Sequence, residues 1–269
     1  MLDISVASCS DPGRRAGNED ALRTGLAEHL RYAVLSDGAG GHARGAEAAR
    51  CVVDRIEAEL CAAAAVFAPE PLTRALLAAH AELQRGQHGA QGQRRMHATV
   101  VVLWIDTRTD RALWSHVGDS RLYRFRYGAV DLVTADDSVV QRMLQGGVIT
   151  PQQAHDHPMK NQLLAAVGTP DALEPHTVPA AQALEDGDAF LLCTDGWWGV
   201  LDAAEMIDTL GVADTPNDWL DAMRERICAR AVPGQDNFSA IAVWASDPTQ
   251  CTQSMPEEDE ATVPATIDA

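Results

Sequence analysis

An acidic residue recurs at the edge of short apolar runs, and this pattern constrains the chain more than any other. Apolar runs end at Asp37, Asp119 and Asp195, and another begins just after Asp236. Such runs, rich in β-branched or aromatic residues and bounded by turn formers, predict β-strands. One aspartate of this kind is typical of a turn, but aspartates on neighbouring strands would lie about 5–10 Å apart and repel one another. A divalent cation removes that repulsion, and oxygen ligands without His or Cys favour Mg²⁺ or Mn²⁺.

The order of the predicted elements favours an α+β fold. Helices cluster at 45–84 and 202–231 instead of alternating with strands, so a mostly antiparallel sheet is favoured over a parallel one. Residues 85–96 and 146–171 are predicted to be irregular. The predicted strands are Ile4–Ser8, Tyr32–Ser36, Thr99–Ile105, Ala112–Val117, Leu122–Phe125, Phe190–Cys193 and Phe238–Trp244. The predicted helices are roughly Gly45–Ala65, Pro71–Gln84, Ser138–Gln145, Asp202–Leu210 and Asn217–Ala231.

Charge and composition exclude several classes of partner. The formal net charge is −18, whereas nucleic acid and anionic membrane surfaces attract basic patches. No apolar run approaches the roughly 20 residues that a membrane span needs. The N-terminus shows no signal-peptide pattern, and the six cysteines have no C-x-x-C pair, as is typical of a reducing compartment. We therefore expect a cytoplasmic protein with no nucleic-acid or membrane partner.

The C-terminal residues differ in composition from the rest of the chain. Residues 248–269 contain five acidic residues and no Lys or Arg. A polar, charged segment of this kind buries too little apolar surface to fold. Residues 247–269 are therefore predicted to form an acidic disordered tail.

Five short motifs follow one another along the chain: Arg15-x-x-Asn18-Glu19-Asp20, Asp37-Gly38-x-Gly40-Gly41-His42, Val117-Gly118-Asp119-Ser120-Arg121, Thr194-Asp195-Gly196 and Gly234-x-Asp236-Asn237. They occur in the order seen in PP2C-type (PPM) phosphatases, and the chain resembles the compact bacterial branch of that family. The resemblance covers residues 1–246, with a flap region at roughly 136–171. It implies a four-layer α-β-β-α sandwich, in which two mostly antiparallel sheets are flanked by helices and the metal site lies at one end.

The resemblance also implies roles for individual residues. The implied metal ligands are Glu19, Asp20, Asp37, Gly38, Asp119, Asp195 and Asp236. Asp37 would bridge two Mn²⁺ or Mg²⁺ ions, and Asp195 and Asp236 would complete one of them. The Gly38 carbonyl would join Asp37 on the other ion, with Glu19 and Asp20 acting directly or through water.

Two further implied roles concern a weaker ion and the substrate. Asp119 matches the position that helps to hold a weaker third ion in bacterial members, and Arg15 would grip the substrate phosphate. A bridging water between two cations can attack phosphorus directly. The resemblance therefore implies metal-dependent hydrolysis of phosphoserine and phosphothreonine in proteins. The implied partners are phosphorylated proteins and a cognate bacterial Ser/Thr kinase, with control of type VI secretion as one such setting.

The sequence departs from the family pattern at three positions. Ala39 stands where eukaryotic members often carry a His, so protonation of the leaving group has no assigned residue. His42 is interpreted as a cap at the start of a helix. Asp137 replaces a common His and Lys160 a common Arg, and both changes affect the flap rather than the metal ligands.

Three alternative functions compete with this hypothesis. Cys9 and Arg15 have the C-x₅-R spacing of a cysteine phosphatase, although Asp11 would place an acid in the phosphate loop. The G-x-G-x-x-A pattern from Gly38 resembles a dinucleotide fingerprint, but a helix is predicted where its second strand should be. A catalytically silent phosphoprotein-binding pseudophosphatase on the same fold is the third alternative, and the complete set of predicted metal carboxylates argues against it.

Overall fold

The computed structural model describes residues 1–39, 43–62, 65–87, 95–155 and 157–249. Within these ranges the strands are β1 (Asp3–Asp11), β2 (Asp20–Ala27), β3 (Leu30–Ala39), β4 (His97–Ala98), β5 (Val100–Asp106), β6 (Arg111–Val117), β7 (Arg121–Arg126), β8 (Ala129–Leu132), β9 (His176–Thr177), β10 (Gln182–Ala183), β11 (Ala189–Cys193) and β12 (Phe238–Ser246). The helices are α1 (Ala43–Leu60), α2 (Pro69–Gly86), α3 (Val139–Gln145), α4 (Pro151–His155), α5 (Asp195–Trp198), α6 (Ala203–Leu210) and α7 (Pro216–Ala229).

The strands form two antiparallel sheets. Over the described residues, one sheet has the order β1-β12-β11-β7-β8, and the other has the order β10-β6-β5-β3-β2. The short strands β4 and β9 add to β3 and β6 of the second sheet. β1 and β12 pair along their full lengths, from Asp3 opposite Ser246 to Asp11 opposite Phe238. The early and late parts of the chain therefore meet in one sheet.

Alternation of side chains along the strands divides the apolar core into layers, because residues two apart in a strand face the same side. In β5, Val102 and Trp104 pack against α1 and α2, whereas Val101 and Leu103 pack against the other sheet. In β11, Leu191 faces α6 and α7 on the far side of its own sheet. The layers follow the order helices, sheet, sheet, helices. The expected four-layer α-β-β-α sandwich is confirmed.

Capping residues and aromatic packing fix the helices on the five-stranded sheet. α6 begins with a capping box, in which the side chains of Asp202 and Glu205 each accept a hydrogen bond from the other's backbone N–H. α7 begins after Thr215, whose side chain accepts from the backbone N–H of Asp218. Trp219 of α7 is fully buried, and its ring centroid lies 5.1 Å from that of Phe125 in β7. These contacts hold α6 and α7 as the outer helical layer on the five-stranded sheet.

Each strand and helix predicted above has a counterpart in the structure, with shifted ends, but several short elements were missed. β2 escaped prediction because Arg23, Gly25 and the exposed Leu26 interrupt its apolar alternation. It forms as an edge strand against β3. The irregular region 146–171 contains the short helix α4. The loop predicted at 85–96 starts two residues too early, because α2 includes Arg85 and Gly86. The strand β4 begins just beyond the predicted loop, at His97.

Two sequence-based interpretations fall partly outside the described residues. His42 and residues 250–269, which make up most of the predicted tail, are not among them. No helix within the described ranges combines the length and apolar character of a membrane-spanning segment.

Candidate metal centre

Five aspartates lie at one end of the sandwich, and we call this set the acidic centre: Asp20, Asp37, Asp119, Asp195 and Asp236. Asp20 begins β2 directly opposite Asp37 near the end of β3. Asp195 follows β11 and Asp236 precedes β12, and these two strands are antiparallel neighbours. Asp119 lies in the connection from β6 to β7, where the chain passes from one sheet to the other. Both sheets therefore supply the centre.

Burial and mutual repulsion perturb the acidic centre strongly. Burial raises the pKa of Asp37 well above its usual value, and the charges of Asp20, Asp195, Asp119 and Asp236 raise it further. Burial, together with Asp195, raises the pKa of Asp119 to about 8. Burial, together with Asp236, raises the pKa of Asp195 to about 6. Carboxylates whose pKa values are raised by burial and by one another form a site in which a cation would be favourable.

Asp20 is only partly satisfied by its neighbours. Burial raises its pKa to about 7, with Asp195 and Asp236 adding to the effect, although hydrogen bonds from Ser239 and Thr194 oppose it. The hydroxyl of Thr194 donates to Oδ2 of Asp20 over 3.1 Å. Oδ1 is buried without a hydrogen-bond partner among the described residues. A buried carboxylate oxygen without a hydrogen-bond partner is available to bind a cation.

Close backbone contact brings Gly38 and Glu19 to the start of α1. A Cβ built on Gly38 would lie 2.0 Å from the carbonyl oxygen of Gly45. A Cβ built on Gly45 would lie 2.6 Å from the Gly38 carbonyl oxygen and 1.9 Å from Oε2 of Glu19. Only glycine fits at these two positions without movement. The Gly38 carbonyl and the Glu19 carboxylate therefore share one small space beside Asp37.

Arg15 reaches the acidic centre through Asp236. Nη2 of Arg15 lies 2.8 Å from Oδ2 of Asp236, and the two side chains are 49% and 40% exposed. The loop that carries Arg15 is held by Asn237, whose side-chain amide donates to the carbonyls of Pro12 and Gly17. Its amide oxygen accepts from the backbone N–H of Glu19. Asn237, the residue next to Asp236, thus fixes both the conformation of the loop that carries Arg15 and the position of the Glu19 backbone.

Arg121 connects the Asp119 turn to the beginning of the flap region. Its guanidinium makes two hydrogen bonds to Asp136, of 2.9 and 2.8 Å. It also lies over the ring of Trp198, 3.5 Å from the centroid. The indole N–H of Trp198 donates to the carbonyl of Asp119 over 2.9 Å. The contacts of Arg121 and Trp198 therefore join α5, the connection that carries Asp119 and the start of the flap, next to the acidic centre.

The structure argues against the cysteine phosphatase alternative. Cys9 lies within β1, where it pairs with Ala240 of β12. Burial raises the pKa of the Cys9 thiol above its usual value. A nucleophilic cysteine needs a lowered pKa and a phosphate-binding loop around it, and Cys9 has the opposite environment.

The structure brings the sequence-predicted residues together and adds others. The five aspartates, Gly38 and Glu19 meet at one end of the sandwich, with Arg15 at the edge. The supporting residues Thr194, Ser239 and Asn237 had no predicted role. Thr194 and Asn237 stand next to predicted aspartates in the sequence, which was the one signal that could have identified them.

The fold is shared with solved bacterial serine/threonine phosphatases, and the sequence matches the same class of protein. The chain belongs to the protein phosphatase 2C family, whose model matches residues 13–231. It is 33% identical over 205 residues to serine/threonine protein phosphatase PstP of Mycobacterium tuberculosis, covering 72% of this chain but only 36% of PstP. It is 30% identical over 219 residues to protein phosphatase PhpP of Streptococcus pneumoniae, covering 79% of this chain and 86% of PhpP.

Solved structures of similar proteins share the fold. The catalytic domain of serine/threonine protein phosphatase PstP in complex with two manganese ions matches with a TM-score of 0.79 and 25% identity, covering 92% of this chain and 100% of that one. PppA, a key regulatory component of the type VI secretion system in Pseudomonas aeruginosa, matches with a TM-score of 0.74 and 30% identity, covering 90% of this chain and 97% of that one.

Proposed function

We propose that this chain hydrolyses phosphoserine and phosphothreonine in proteins, with divalent cations held by the acidic centre. The observation that carries the proposal is the convergence of five aspartates from both sheets, with the charges of the other four all acting on Asp37. Membership of the protein phosphatase 2C family supports it. The two manganese ions in the similar PstP structure support the number of ions.

The residues of the acidic centre fit two hard divalent ions. The donors are carboxylates and a backbone carbonyl, which favour Mn²⁺ or Mg²⁺ over zinc. Asp20 offers a buried oxygen without a hydrogen-bond partner in the described structure. Burial and the charges of neighbouring aspartates raise the pKa values of Asp37 and Asp119, and bound cations would offset both effects.

We assign the ligands of the two ions by position. Asp37 would contact both ions, because the charges of all four other aspartates act on it. Asp195 and Asp236 would complete one ion, since both stand at the same end of the paired strands β11 and β12. The Gly38 carbonyl would complete the other ion.

Three further acids extend this assignment. Asp20 and Glu19 would support the ion at the Gly38 carbonyl, either directly or through water. Asp119, on the turn between the sheets, would help to hold a weaker third ion. Its side chain is buried, and the charge of Asp195 adds to the effect of burial in raising its pKa.

When bound, such ions lower the pKa of a water and stabilise the charge that develops at phosphorus. The protein's own contribution is to hold and orient the phosphate. The guanidinium of Arg15 is half exposed, and its ion pair with Asp236 is of the solvent-exposed kind that contributes little stability. It can therefore turn towards a phosphate and bind two of its oxygens.

Replacing Arg15 by Ala is expected to raise KM for a phosphopeptide more than it lowers kcat. The lost contact is a charge-assisted hydrogen bond worth about 1.5–3 kcal/mol, so KM should rise on the order of tenfold or more. Steady-state kinetics with a phosphothreonine peptide would measure the change. The neighbouring Arg14→Ala variant is the matched control, because Arg14 is also exposed. An unchanged KM in Arg15→Ala would remove Arg15 from the phosphate site.

Replacing Gly45 by Ala is expected to weaken Mn²⁺ binding by on the order of tenfold, the usual effect of disturbing support around a ligand. The added methyl group would collide with the Gly38 carbonyl and the Glu19 carboxylate. Elsewhere in a helix the same change stabilises by about 0.5–1 kcal/mol. Gly86→Ala, in α2 with open space at its Cβ position, is the control. Calorimetric titration with Mn²⁺ compares the two, and equal affinities would contradict the assignment of Gly38 and Glu19.

We infer that the flap, residues 136–171, handles the substrate. Lys160 lies close enough to Asp195 to lower its pKa, against the larger effects of burial and Asp236. The flap thus presents a cation towards the acidic centre, where a phosphorylated segment would enter. Ala39 is exposed and has no acidic group, so leaving-group protonation is not assigned to a side chain at that position.

The proposed setting is bacterial signalling in the cytoplasm. We infer that the substrates are phosphorylated proteins, including a cognate Ser/Thr kinase and its targets. The five cysteines in the described part of the chain are all free, which agrees with a reducing compartment. PppA, whose structure is similar, regulates type VI secretion in Pseudomonas aeruginosa, and a role of that kind is the most specific form of the proposal.

Phosphate release from synthetic peptides tests the function directly. Metal-free protein would be assayed on phosphoserine, phosphothreonine and phosphotyrosine peptides across titrations of Mn²⁺ and Mg²⁺, with and without EDTA. We expect release from the first two peptides only when metal is present. A chain that binds the peptides but releases no phosphate at any metal concentration would be a binding protein, and the proposal would be wrong.

A further inference from the structure

A second cluster of ligand-type side chains lies beside Gly118, and we call it the histidine cluster. Among the described residues, the ligand atoms of His116, Asp137 and His176 all lie within 4.8 Å of one another. His116 in β6 and His176 in β9 stand directly opposite each other in antiparallel register. Their rings are stacked, with centroids 4.9 Å apart. Asp137 reaches them from the start of the flap.

His116 is oriented as a metal ligand would be. It is only 4% exposed, and its Nε2 lies 2.9 Å from the carbonyl oxygen of Ala135. A carbonyl can only accept, so Nε2 carries the proton and Nδ1 presents a lone pair. Nδ1 is buried and has no hydrogen-bond partner in the described part of the chain. A backbone carbonyl that fixes one ring nitrogen while the other is left free is the usual support of a metal-binding histidine.

Asp137 is held in place from two sides. The backbone N–H of Gly118 donates to Oδ2 over 2.9 Å, and Nε2 of His176 lies 2.7 Å from Oδ1. The side chain of Asp137 is 15% exposed and that of His176 is 52% exposed. The cluster is therefore rigid at His116 and open to solvent at His176, so an ion has a path of entry.

We propose that His116, Asp137 and His176 form a zinc site that is separate from the acidic centre. Two imidazoles and one carboxylate are the donor set of three-ligand zinc sites, in which a fourth position stays open. Nitrogen donors also distinguish this cluster from the oxygen-only acidic centre, which favours harder ions. Burial lowers the pKa of His116, which keeps the ring in the neutral form that binds metal.

A zinc ion here would fasten the flap to the second sheet. The backbone N–H of Asp137 donates to the carbonyl of Gly118 over 2.9 Å, and Gly118 directly precedes Asp119. An ion bound to Asp137, His116 and His176 would join the beginning of the flap to β6 and β9. The site would thus set where the flap starts relative to the acidic centre, without taking part in the reaction.

Zinc binding to the whole chain tests the proposal. Metal-free protein would first be saturated with Mn²⁺, and zinc content and affinity would then be measured for the native chain and for His176→Ala. His176 is half exposed, so this change should leave the fold intact, as circular dichroism would check. We expect zinc affinity to fall on the order of tenfold or more, and zinc X-ray absorption of the native chain to show imidazole scattering that weakens in the variant.

Two further variants make the result specific. Asp137→Asn should also lose zinc, whereas His157→Ala, which removes a flap histidine outside the cluster, should keep it. Asp37→Asn should lose Mn²⁺ but retain this zinc, which separates the proposal from the function of the acidic centre. Equal zinc binding in native protein and His176→Ala, or zinc surrounded by oxygen alone, would contradict the proposal. The three residues would then form a hydrogen-bonded cluster that binds no zinc.

Discussion

Asp37→Asn is expected to abolish metal-dependent turnover while the protein stays folded. An amide oxygen carries no full charge and cannot hold two ions as a carboxylate can. We expect kcat to fall by on the order of 10³-fold or more, which corresponds to about 4 kcal/mol of lost transition-state stabilisation. Asp195→Asn and Asp236→Asn should have nearly the same effect. Hydrolysis of p-nitrophenyl phosphate at saturating Mn²⁺ would measure it.

The same substitution has a second, opposite effect that separates loss of function from loss of fold. Burial and the four other aspartates hold the pKa of Asp37 well above its usual value, so its carboxylate is unfavourable without metal. A neutral amide should therefore raise the melting temperature of the metal-free protein by about 3 °C or more. Asp131→Asn, at an exposed position in β8, is the control and should change neither quantity. Full Mn²⁺-dependent turnover in Asp37→Asn would refute the site assignment.

Metal-free protein is expected to lose stability as the pH rises towards neutrality. The pKa of Asp20 is raised from 3.8 to about 7 in the folded state. Between these values the folded protein keeps a proton that the unfolded chain has released, so raising the pH favours unfolding. The contribution is fully present below pH 3.8 and is lost as the pH passes about 7. Asp119, with a pKa of about 8, acts in the same direction over a slightly higher range.

Mn²⁺ should reverse this loss, because the ions bind the deprotonated carboxylates of the folded state only. At a concentration about 1,000 times Kd, binding stabilises by about 4 kcal/mol, which corresponds to a rise in Tm on the order of 10 °C. The rise should be larger at pH 8 than at pH 5, and Asp37→Asn should show much less of it. Scanning calorimetry with and without Mn²⁺ provides the test. If the Tm at pH 8 were the same with and without Mn²⁺, the acidic centre would bind no metal.

The major elements of the fold could be predicted from the sequence because their apolar patterns are strong. β5 is buried along its whole length, and the run from Val100 to Ile105 is unmistakable. The edge strand β2 and the short strands β9 and β10 could not be predicted, since their positions depend on neighbours and not on their own composition. The division at residue 246 into a folded domain and a tail stays a prediction.

The sequence could predict which aspartates form the acidic centre, but it could not predict the hydrogen bonds and packing around them. Each aspartate adjoins a strand or a family motif, so the sequence marks it. The hydrogen bonds of Asn237 and the contact of Arg121 with Trp198 join residues far apart in the chain. The spacing of motifs in the sequence therefore could not predict them. The histidine cluster was missed for the same reason, because His176 meets His116 only through the two-residue strand β9.

The joining of the chain's early and late strands determines when the protein can first become active during its synthesis. Arg15 and Asp236 are 221 residues apart, and the strand that follows Asp236 must enter the sheet beside β1 before they can meet. A nascent chain on the ribosome that still lacks β12 can form much of the helical layer on α1 and α2, yet it has no complete set of carboxylates. The acidic centre therefore cannot be complete until β12 has been made, and under the proposed function a shorter nascent chain cannot remove phosphate from other proteins.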